Sequence, residues 1–158
     1  MPARVRLKYR DMIQFIKKTV VLMALLLVSI TTSANGRSSK STTTSGFDWT
    51  PVMEAIIKVE SEGNPKAVSG NSVGAMQITP ILVKECNEIL SKRKSKKRYT
   101  LADRYSVEKS KEMFLLIQSY FNPENNVEKA IRSWNGGRSY GIKATNRYYR
   151  KVMAKMNK

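Results

Sequence analysis

One glutamate stands where a side chain could act as an acid. Glu60 lies near the end of a helical pattern that begins at Thr50 and stops at Gly63. Three apolar residues share its helical face, at the spacing of 3.6 residues per turn: Met53, Ile56 and Ile57. Burial and the negative end of the helix dipole both raise the pKa of a carboxyl group. The pattern therefore predicts a carboxyl group that keeps its proton near neutral pH, as a general acid must.

A glutamate at a helix end can also be a boundary residue that reaches solvent, and the motifs described below favour the first interpretation of Glu60. The other acidic residues show no comparable placement. Glu62 lies about 200° further round the helix, beside Lys58, and we expect it to be solvated. Other acidic residues fall on polar helix faces or in loops: Glu85, Glu88, Asp103, Glu108 and Glu112. The sequence therefore indicates chemistry by a single carboxyl group.

Composition excludes several kinds of site. The 158 residues contain 29 Lys and Arg, 12 Asp and Glu, and no histidine, for a formal charge of +17. Histidine bases, Cys–His or Ser–His pairs and histidine metal sites are therefore excluded. The single cysteine, Cys86, follows the apolar face of a predicted helix and is interpreted as a core thiol. We predict neither a metal nor a cofactor, and the positive charge suits an anionic polymer.

The N-terminus has the features of an export signal. Residues 1–34 contain a basic lead, the apolar run Val20–Ile30, and the small residues Thr32-Ser33-Ala34 as a cleavage site. Met12 would start a more typical signal, and an uncleaved anchor is the alternative. The Ser/Thr-rich residues 35–46 predict a linker. We therefore expect export to the periplasm or cell envelope, and no stable membrane span after cleavage.

The remaining residues, 47–158, predict a mainly α domain without strand pairs. We expect Thr50 to cap the first helix, before Pro51 at its first position. A loop rich in glycine, serine and asparagine follows. Later helices are predicted after Pro80, near Ser106, near Asn125 and from Thr145. The cationic run Lys92–Arg98 is interpreted as a solvated loop.

Four motifs occur in order along this domain. They are Glu60-Ser61 with Asn64 to Ser69, Gly74-Ala75-Met76-Gln77-Ile78, Ala130 to Gly137 with Trp134-Asn135-Gly136-Gly137 at its end, and Tyr148-Tyr149-Arg150-Lys151-Val152. Together they resemble the catalytic domain of the lytic transglycosylases of the SLT type, relatives of goose-type lysozyme. The resemblance covers about Thr50 to Val152 and implies a compact lysozyme-like helical domain.

The resemblance also implies site residues. Glu60 matches the single catalytic acid and base of the family, and Tyr148 matches an aromatic residue near that carboxyl group. Substrate-binding positions are implied at Ser69, Met76, Gln77, Trp134, Asn135 and Tyr148. Trp134 departs from the tyrosine usual in the family, and an indole can donate a hydrogen bond but accept none. Without the resemblance, Ser69 would be a turn serine, and Met76, Trp134 and Tyr148 would be core residues.

The implied substrate is the glycan strand of peptidoglycan. The implied reaction breaks the β-1,4 bond between N-acetylmuramic acid and N-acetylglucosamine, and leaves a 1,6-anhydro end. Two alternatives stay open at this point, a hydrolytic muramidase and a non-catalytic wall-binding module. A binder of nucleic acid is disfavoured because Lys92–Arg98 lacks interleaved aromatic residues. We expect a monomer that binds no nucleic acid.

Overall fold

The computed structural model describes residues 46–157. The predicted signal peptide and nearly all of the predicted linker lie outside the described residues. The elements, in chain order, are α1 (Thr50–Ser61), β1 (Val68–Ser69), β2 (Ser72–Val73), α2 (Pro80–Lys92), a 3-10 turn (Ala102–Tyr105), α3 (Val107–Phe121), α4 (Val127–Gly136) and α5 (Ile142–Met156). The expectation of a mainly α domain is confirmed.

Strands β1 and β2 form a small antiparallel pair, so the expectation of no strand pairs was wrong. Val68 pairs with Val73 and Ser69 with Ser72, and an isolated bridge joins Val73 to Ile78. Strands of two residues are too short to produce the alternation that identifies a strand in a sequence. This pairing folds the glycine-rich loop between α1 and α2 into a small β-hairpin.

Two helix starts differ from those predicted. Thr50 is the first residue of α1 rather than its cap, and the backbone N–H of Thr50 donates to Asp48 Oδ1 at 2.9 Å. Helix α5 begins at Ile142, three residues before Thr145. The Thr145 hydroxyl instead donates to the carbonyl of Gly141 at 2.9 Å, inside the first turn. By contrast, α3 begins next to Ser106 as expected, and the structure adds that Ser106 caps it by accepting from the N–H of Lys109.

The apolar face of α1 is central to the core. Helix α1 packs against α5 and α4, and α5 also packs against α4. Every helix contributes fully buried side chains, among them Val52, Ile56, Cys86, Met113, Phe114, Ile131 and Val152. Burial raises the pKa of the Cys86 thiol to about 12, so Cys86 is the core thiol that its spacing predicted.

Arg132 fastens α5 to α4. Its side chain is 5% exposed, and its Nε donates to Glu128 Oε1 at 2.7 Å. Its Nη1 donates to the carbonyl of Ile142 at 3.0 Å and to Thr145 Oγ1 at 3.1 Å. The guanidinium also lies 4.3 Å from the ring centroid of Tyr149. One buried cation therefore fixes the first turns of the helix that carries Tyr148.

The cationic run is exposed, as expected of a solvated loop, but it is also tethered. Lys97 pairs with Glu112 at 2.6 Å, and Arg93 donates to the carbonyl of Ser119. Among the described residues, no helix is both long and apolar enough to cross a membrane.

We predict that Arg132→Ala lowers the free energy of unfolding by about 3 kcal/mol, because it removes hydrogen bonds from a charged donor to two partly buried acceptors. Chemical denaturation followed by circular dichroism measures the loss. Arg150→Ala, at an exposed position of the same helix pair, is the control and should change little. Equal stability of the two variants would contradict the fastening role.

Candidate active site

The carboxyl group of Glu60 lies in the last turn of α1 and is half-buried. Its Oε1 accepts a hydrogen bond of 2.7 Å from the hydroxyl of Tyr148. Burial raises the pKa of Glu60 above its usual value of 4.5, and the Tyr148 hydrogen bond acts in the opposite direction. The expected inward carboxyl group with a raised pKa is therefore present.

Two residues in the left-handed region of the backbone end α1 close to Glu60. Glu62 adopts a left-handed conformation with φ of 57°, and Gly63 follows with φ of 92°. The N–H of Gly63 donates back to the carbonyl of Ile57, which closes the helix in a way typical of left-handed C-termini. The helix thus ends at Ser61, one residue after Glu60, and Glu62 is exposed, as expected.

Tyr148 is supplied by α5. Burial, together with the nearby charge of Glu60, raises the pKa of the Tyr148 phenol well above its usual range. The phenol therefore stays protonated at any physiological pH and acts as the donor of the pair. Glu60 consequently has one fixed donor, and its other carboxyl oxygen has no hydrogen bond to the described residues.

The loop before α2 is held in shape by its own backbone. The N–H of Gly74 donates to the carbonyl of Ala67 at 2.8 Å. Gln77, with φ of 50°, donates from Nε2 to the carbonyls of Gly74 at 2.9 Å and Ala67 at 3.4 Å. A Cβ on Gly74 would lie 1.9 Å from the carbonyl oxygen of Arg104, so only glycine fits there.

Two side chains tie this loop to helices α1 and α4. Ser61 Oγ donates to the carbonyl of Ala75 at 2.9 Å. Trp134 Nε1 donates to the carbonyl of Met76 at 3.2 Å, and the indole packs 5.2 Å from the ring of Phe114. Because Ser61 follows Glu60 directly, the carboxyl group and the loop that carries Gln77 are held together.

Sequence reasoning missed Arg104. Its Nη1 donates to the carbonyl of Asn71 at 3.1 Å, in the turn between β1 and β2, and to that of Ile78 at 3.3 Å, near the end of the same loop. Its Nε donates to the carbonyl of Leu101. The sequence contains no signal for this contact, since Arg104 lies in a short 3-10 turn without helical periodicity.

The other predicted site residues have different surroundings. Met76 has no exposed surface, which gives its side chain a packing role in the core. Ser69 is exposed on β1, and the described residues contain no hydrogen bond between it and Glu60. Trp134 is partly buried, whereas Asn135 is exposed. Sugar binding at these positions stays a prediction.

A cleft of about 640 Å³ opens where α2, α3 and the end of α4 meet. Trp134, Asn135 and Thr79 line it, as do the apolar side chains of Leu82 and Ile117. Glu60, Gln77 and Tyr148 are not among its lining residues. Its lining includes Thr79, two positions after Gln77, and Trp134, whose indole donates to the loop that Ser61 holds. It therefore adjoins the Glu60 site without containing it.

A second cavity, of about 810 Å³, lies between α1 and α5. It is lined by Lys58, Val59, Glu62, Lys151, Ala154 and Lys155, without any aromatic side chain. The cleft beside Trp134 is therefore the better candidate for a sugar chain, because aromatic faces and amides line it.

Within residues 46–157, no three Asp, Glu or Cys side chains are grouped so that they could hold a metal ion.

The family model for the transglycosylase SLT domain matches residues 38–157, and the chain belongs to this family. Its function is therefore of the lytic transglycosylase type and directed at peptidoglycan. The matched region begins inside the predicted linker. Neither the curated proteins nor the solved structures gave a match.

We predict that Gly74→Ala lowers the free energy of unfolding by at least about 3 kcal/mol, because it combines a steric clash with a left-handed backbone. Gly70→Ala is the matched control: its φ is 57°, but nothing lies within 4 Å of an added Cβ. It should cost only about 1–2 kcal/mol. Urea denaturation of both variants measures the difference, and equal losses would mean that the contact with Arg104 does not constrain the loop.

We further predict that Tyr148→Phe raises the pKa of Glu60 above that of the wild type, because the lost hydrogen bond favoured the ionised form. Carboxyl-carbon NMR as a function of pH measures both values. Between 4.5 and the folded pKa, the native state binds more protons than the unfolded state. The contribution of Glu60 to stability should therefore fall as pH rises through that window. A lower pKa in the phenylalanine variant would contradict the assignment.

Proposed function

We propose that this protein is a peptidoglycan lytic transglycosylase in which Glu60 is the only catalytic acid and base. It would cleave the β-1,4 bond between N-acetylmuramic acid and N-acetylglucosamine and form 1,6-anhydro-N-acetylmuramic acid. The observation that carries the proposal is the half-buried Glu60 carboxyl group, bonded to Tyr148 at 2.7 Å, with a raised pKa. Family membership supplies the class of substrate.

In the first step, protonated Glu60 donates its proton to the bridging oxygen of the glycosidic bond. The bond to the anomeric carbon breaks, and the sugar passes through a state resembling an oxocarbenium ion. Burial favours this step because it keeps the carboxyl group protonated closer to neutral pH. The leaving N-acetylglucosamine unit departs with the proton from Glu60.

In the second step, ionised Glu60 takes the proton from the 6-hydroxyl of the muramic acid. The 6-oxygen then bonds to the anomeric carbon, which closes the anhydro ring and returns Glu60 to its acid form. Between the two steps the carboxylate carries a negative charge, and the hydroxyl of Tyr148 donates a charge-assisted hydrogen bond to it. The pair therefore supports both protonation states that the cycle requires.

The surroundings of the other carboxylates favour this one-carboxylate mechanism over a paired one. Acidic residues in ion pairs within the described part are Glu54 with Lys111, Glu85 with Arg138, Glu88 with Lys84, Glu112 with Lys97 and Lys109, and Glu128 with Arg132. Glu62 is exposed beyond the end of the helix. A glycosidase with two carboxylates needs the second one across the scissile bond from the first.

The glycan strand would lie along the cleft beside Trp134 and approach Glu60 past Gln77. Trp134 offers an aromatic face and Asn135 an amide group, whereas Gln77 offers its amide oxygen, because its Nε2 donates to the carbonyls of Gly74 and Ala67. Ser69 is retained as a polar contact near the strand, whereas Met76 would support the loop from within the core. The positive charge would raise the encounter rate with a polymer that carries peptide carboxylates.

We place this activity outside the cytoplasmic membrane, in the periplasm or cell envelope, on the strength of the sequence of residues 1–34. The domain of residues 47–158 would act as a monomer after removal of that segment. A hydrolytic muramidase is the second candidate. The two differ in their products, since hydrolysis leaves reducing ends and the proposed reaction leaves anhydro ends.

We predict that Glu60→Gln lowers the rate of sacculus digestion by at least about 100-fold, because general acid–base catalysis contributes roughly that much or more. Glutamine keeps an acceptor for Tyr148, so the fold should be retained. Glu62→Gln, two residues away and exposed, is the matched control and should keep full activity. Mass spectrometry of the released muropeptides measures the yield and identifies the ends. Undiminished digestion by Glu60→Gln would refute the assignment, and reducing ends would favour the muramidase.

A further inference from the structure

Helix α5 differs in charge from the other helices of the described part. Each of α1 to α4 contains at least one acidic residue, whereas α5 contains none, and its basic residues are Lys143, Arg147, Arg150, Lys151 and Lys155. All of these basic residues are exposed. We refer to them as the α5 cationic face.

The spacing of these residues places them on one side of the helix. Their positions follow the pattern i, i+4, i+7, i+8 and i+12, which covers about 140° of the helix circumference and about 18 Å of its length. The buried residues Thr145 and Val152 lie on the opposite side. Helix α5 therefore packs against the domain with one side and presents a continuous positive surface with the other.

The charges of the α5 cationic face are not balanced by the domain itself. Within the described residues, each of α1 to α4 supplies at least one residue to an ion pair, and α5 supplies none. Acidic residues are near enough to have done so, because Glu54 and Glu62 of α1 each line a cavity together with Lys155. Glu54 pairs instead with Lys111 on α3.

This arrangement costs the helix some stability. Like charges four residues apart repel one another along a helix, as Lys143 does Arg147 and Arg147 does Lys151. Because no acidic side chain of the described part offsets this repulsion, an anionic partner outside the domain would do so. The surface therefore fits a partner with several separate negative charges, spread over a length similar to that of the face.

The α5 cationic face adjoins the Glu60 site. Arg147 directly precedes Tyr148, which bonds Glu60, and Lys151 follows Tyr148 by about one turn. Lys151 and Lys155 also line the cavity between α5 and α1, the helix that ends beside Glu60. In peptidoglycan the peptides are joined to muramic acid, the sugar whose anomeric carbon reacts in the proposed function. The peptides of a strand held at Glu60 would therefore start close to α5.

We propose that the α5 cationic face binds the carboxylates of the peptides that glycan strands carry, so that the enzyme favours peptide-bearing strands over bare ones. This inference rests on the proposed function, which sets where the strand lies. A single exposed contact between a cation and a carboxylate contributes little, but several contacts along one helix add up on a polymer that carries many carboxylates. None of these residues touches the reacting atoms.

The test measures the affinity of the protein for immobilised glycan strands that either carry their peptides or have been stripped of them by an amidase. Every protein in the test also carries Glu60→Gln, so that the strands stay intact. The α5 variant combines Arg147→Gln, Lys151→Gln and Lys155→Gln. The control variant removes the same charge from the run Lys92–Arg98, by Lys92→Gln, Lys94→Gln and Lys96→Gln. All of these positions are exposed, so both variants should keep the fold, which circular dichroism checks.

We expect the α5 variant to bind peptide-bearing strands about tenfold more weakly than the control variant, because it loses three exposed charge pairs of small energy each. Both variants should bind stripped strands equally, and added salt should reduce the difference on peptide-bearing strands. Equal affinity of the two variants for peptide-bearing strands, or the same difference on stripped strands, would overturn the proposal.

Vesicles of phosphatidylglycerol and duplex DNA serve as competing polyanions in the same measurement. If the α5 substitutions weaken binding to either of them more than binding to peptide-bearing strands, the surface has another partner and the proposal fails. Failure of the proposed function is seen separately, as muropeptides released from sacculi by a protein that carries Glu60→Gln.

Discussion

The hydrogen bond between Tyr148 and Glu60 joins positions 88 residues apart in the chain and depends on both ends of the domain. Helix α1 must end close to Glu60, and the left-handed Glu62 and Gly63 end it at Ser61. Helix α5 must pack so that Tyr148 reaches Glu60, and buried Arg132 fixes the first turns of that helix. The pKa of the Glu60 carboxyl group is then raised by burial and lowered by the hydrogen bond from the Tyr148 phenol.

The loop between α1 and α2 is the second constraint. Side chains from three elements hold it in place: Ser61 from α1, Arg104 from the 3-10 turn and Trp134 from α4. All of these contacts are made to backbone carbonyls. The loop can therefore hold Gln77 in a left-handed conformation that few side chains adopt, because the surrounding contacts determine its path. Rigid support of this kind is what a site needs if groups on separate elements are to act on one bond.

Local features of this arrangement were predictable from the sequence. The inward position of Glu60, the exposure of Glu62, the burial of Cys86 and the start of α3 near Ser106 all follow from helical periodicity or helix-start signals. The contacts of Arg132 and Arg104 did not follow, because they join distant segments and a sequence pattern encodes no such pairing. The contact of Trp134 with the Gln77 loop is also visible only in the fold. The indole needs only to donate, and the carbonyl of Met76 receives that donation.

The burial of Cys86 also affects how the protein tolerates an oxidising environment. Disulfide exchange and oxidation both proceed through the thiolate, and a buried thiol with a pKa of about 12 forms almost none at neutral pH. The sulfur has no exposed surface from which to reach a partner on another molecule. In an oxidising compartment, where free thiols are commonly cross-linked, this buried thiol would stay reduced and unreactive. The domain would then not depend on a reducing enzyme to keep its cysteine free.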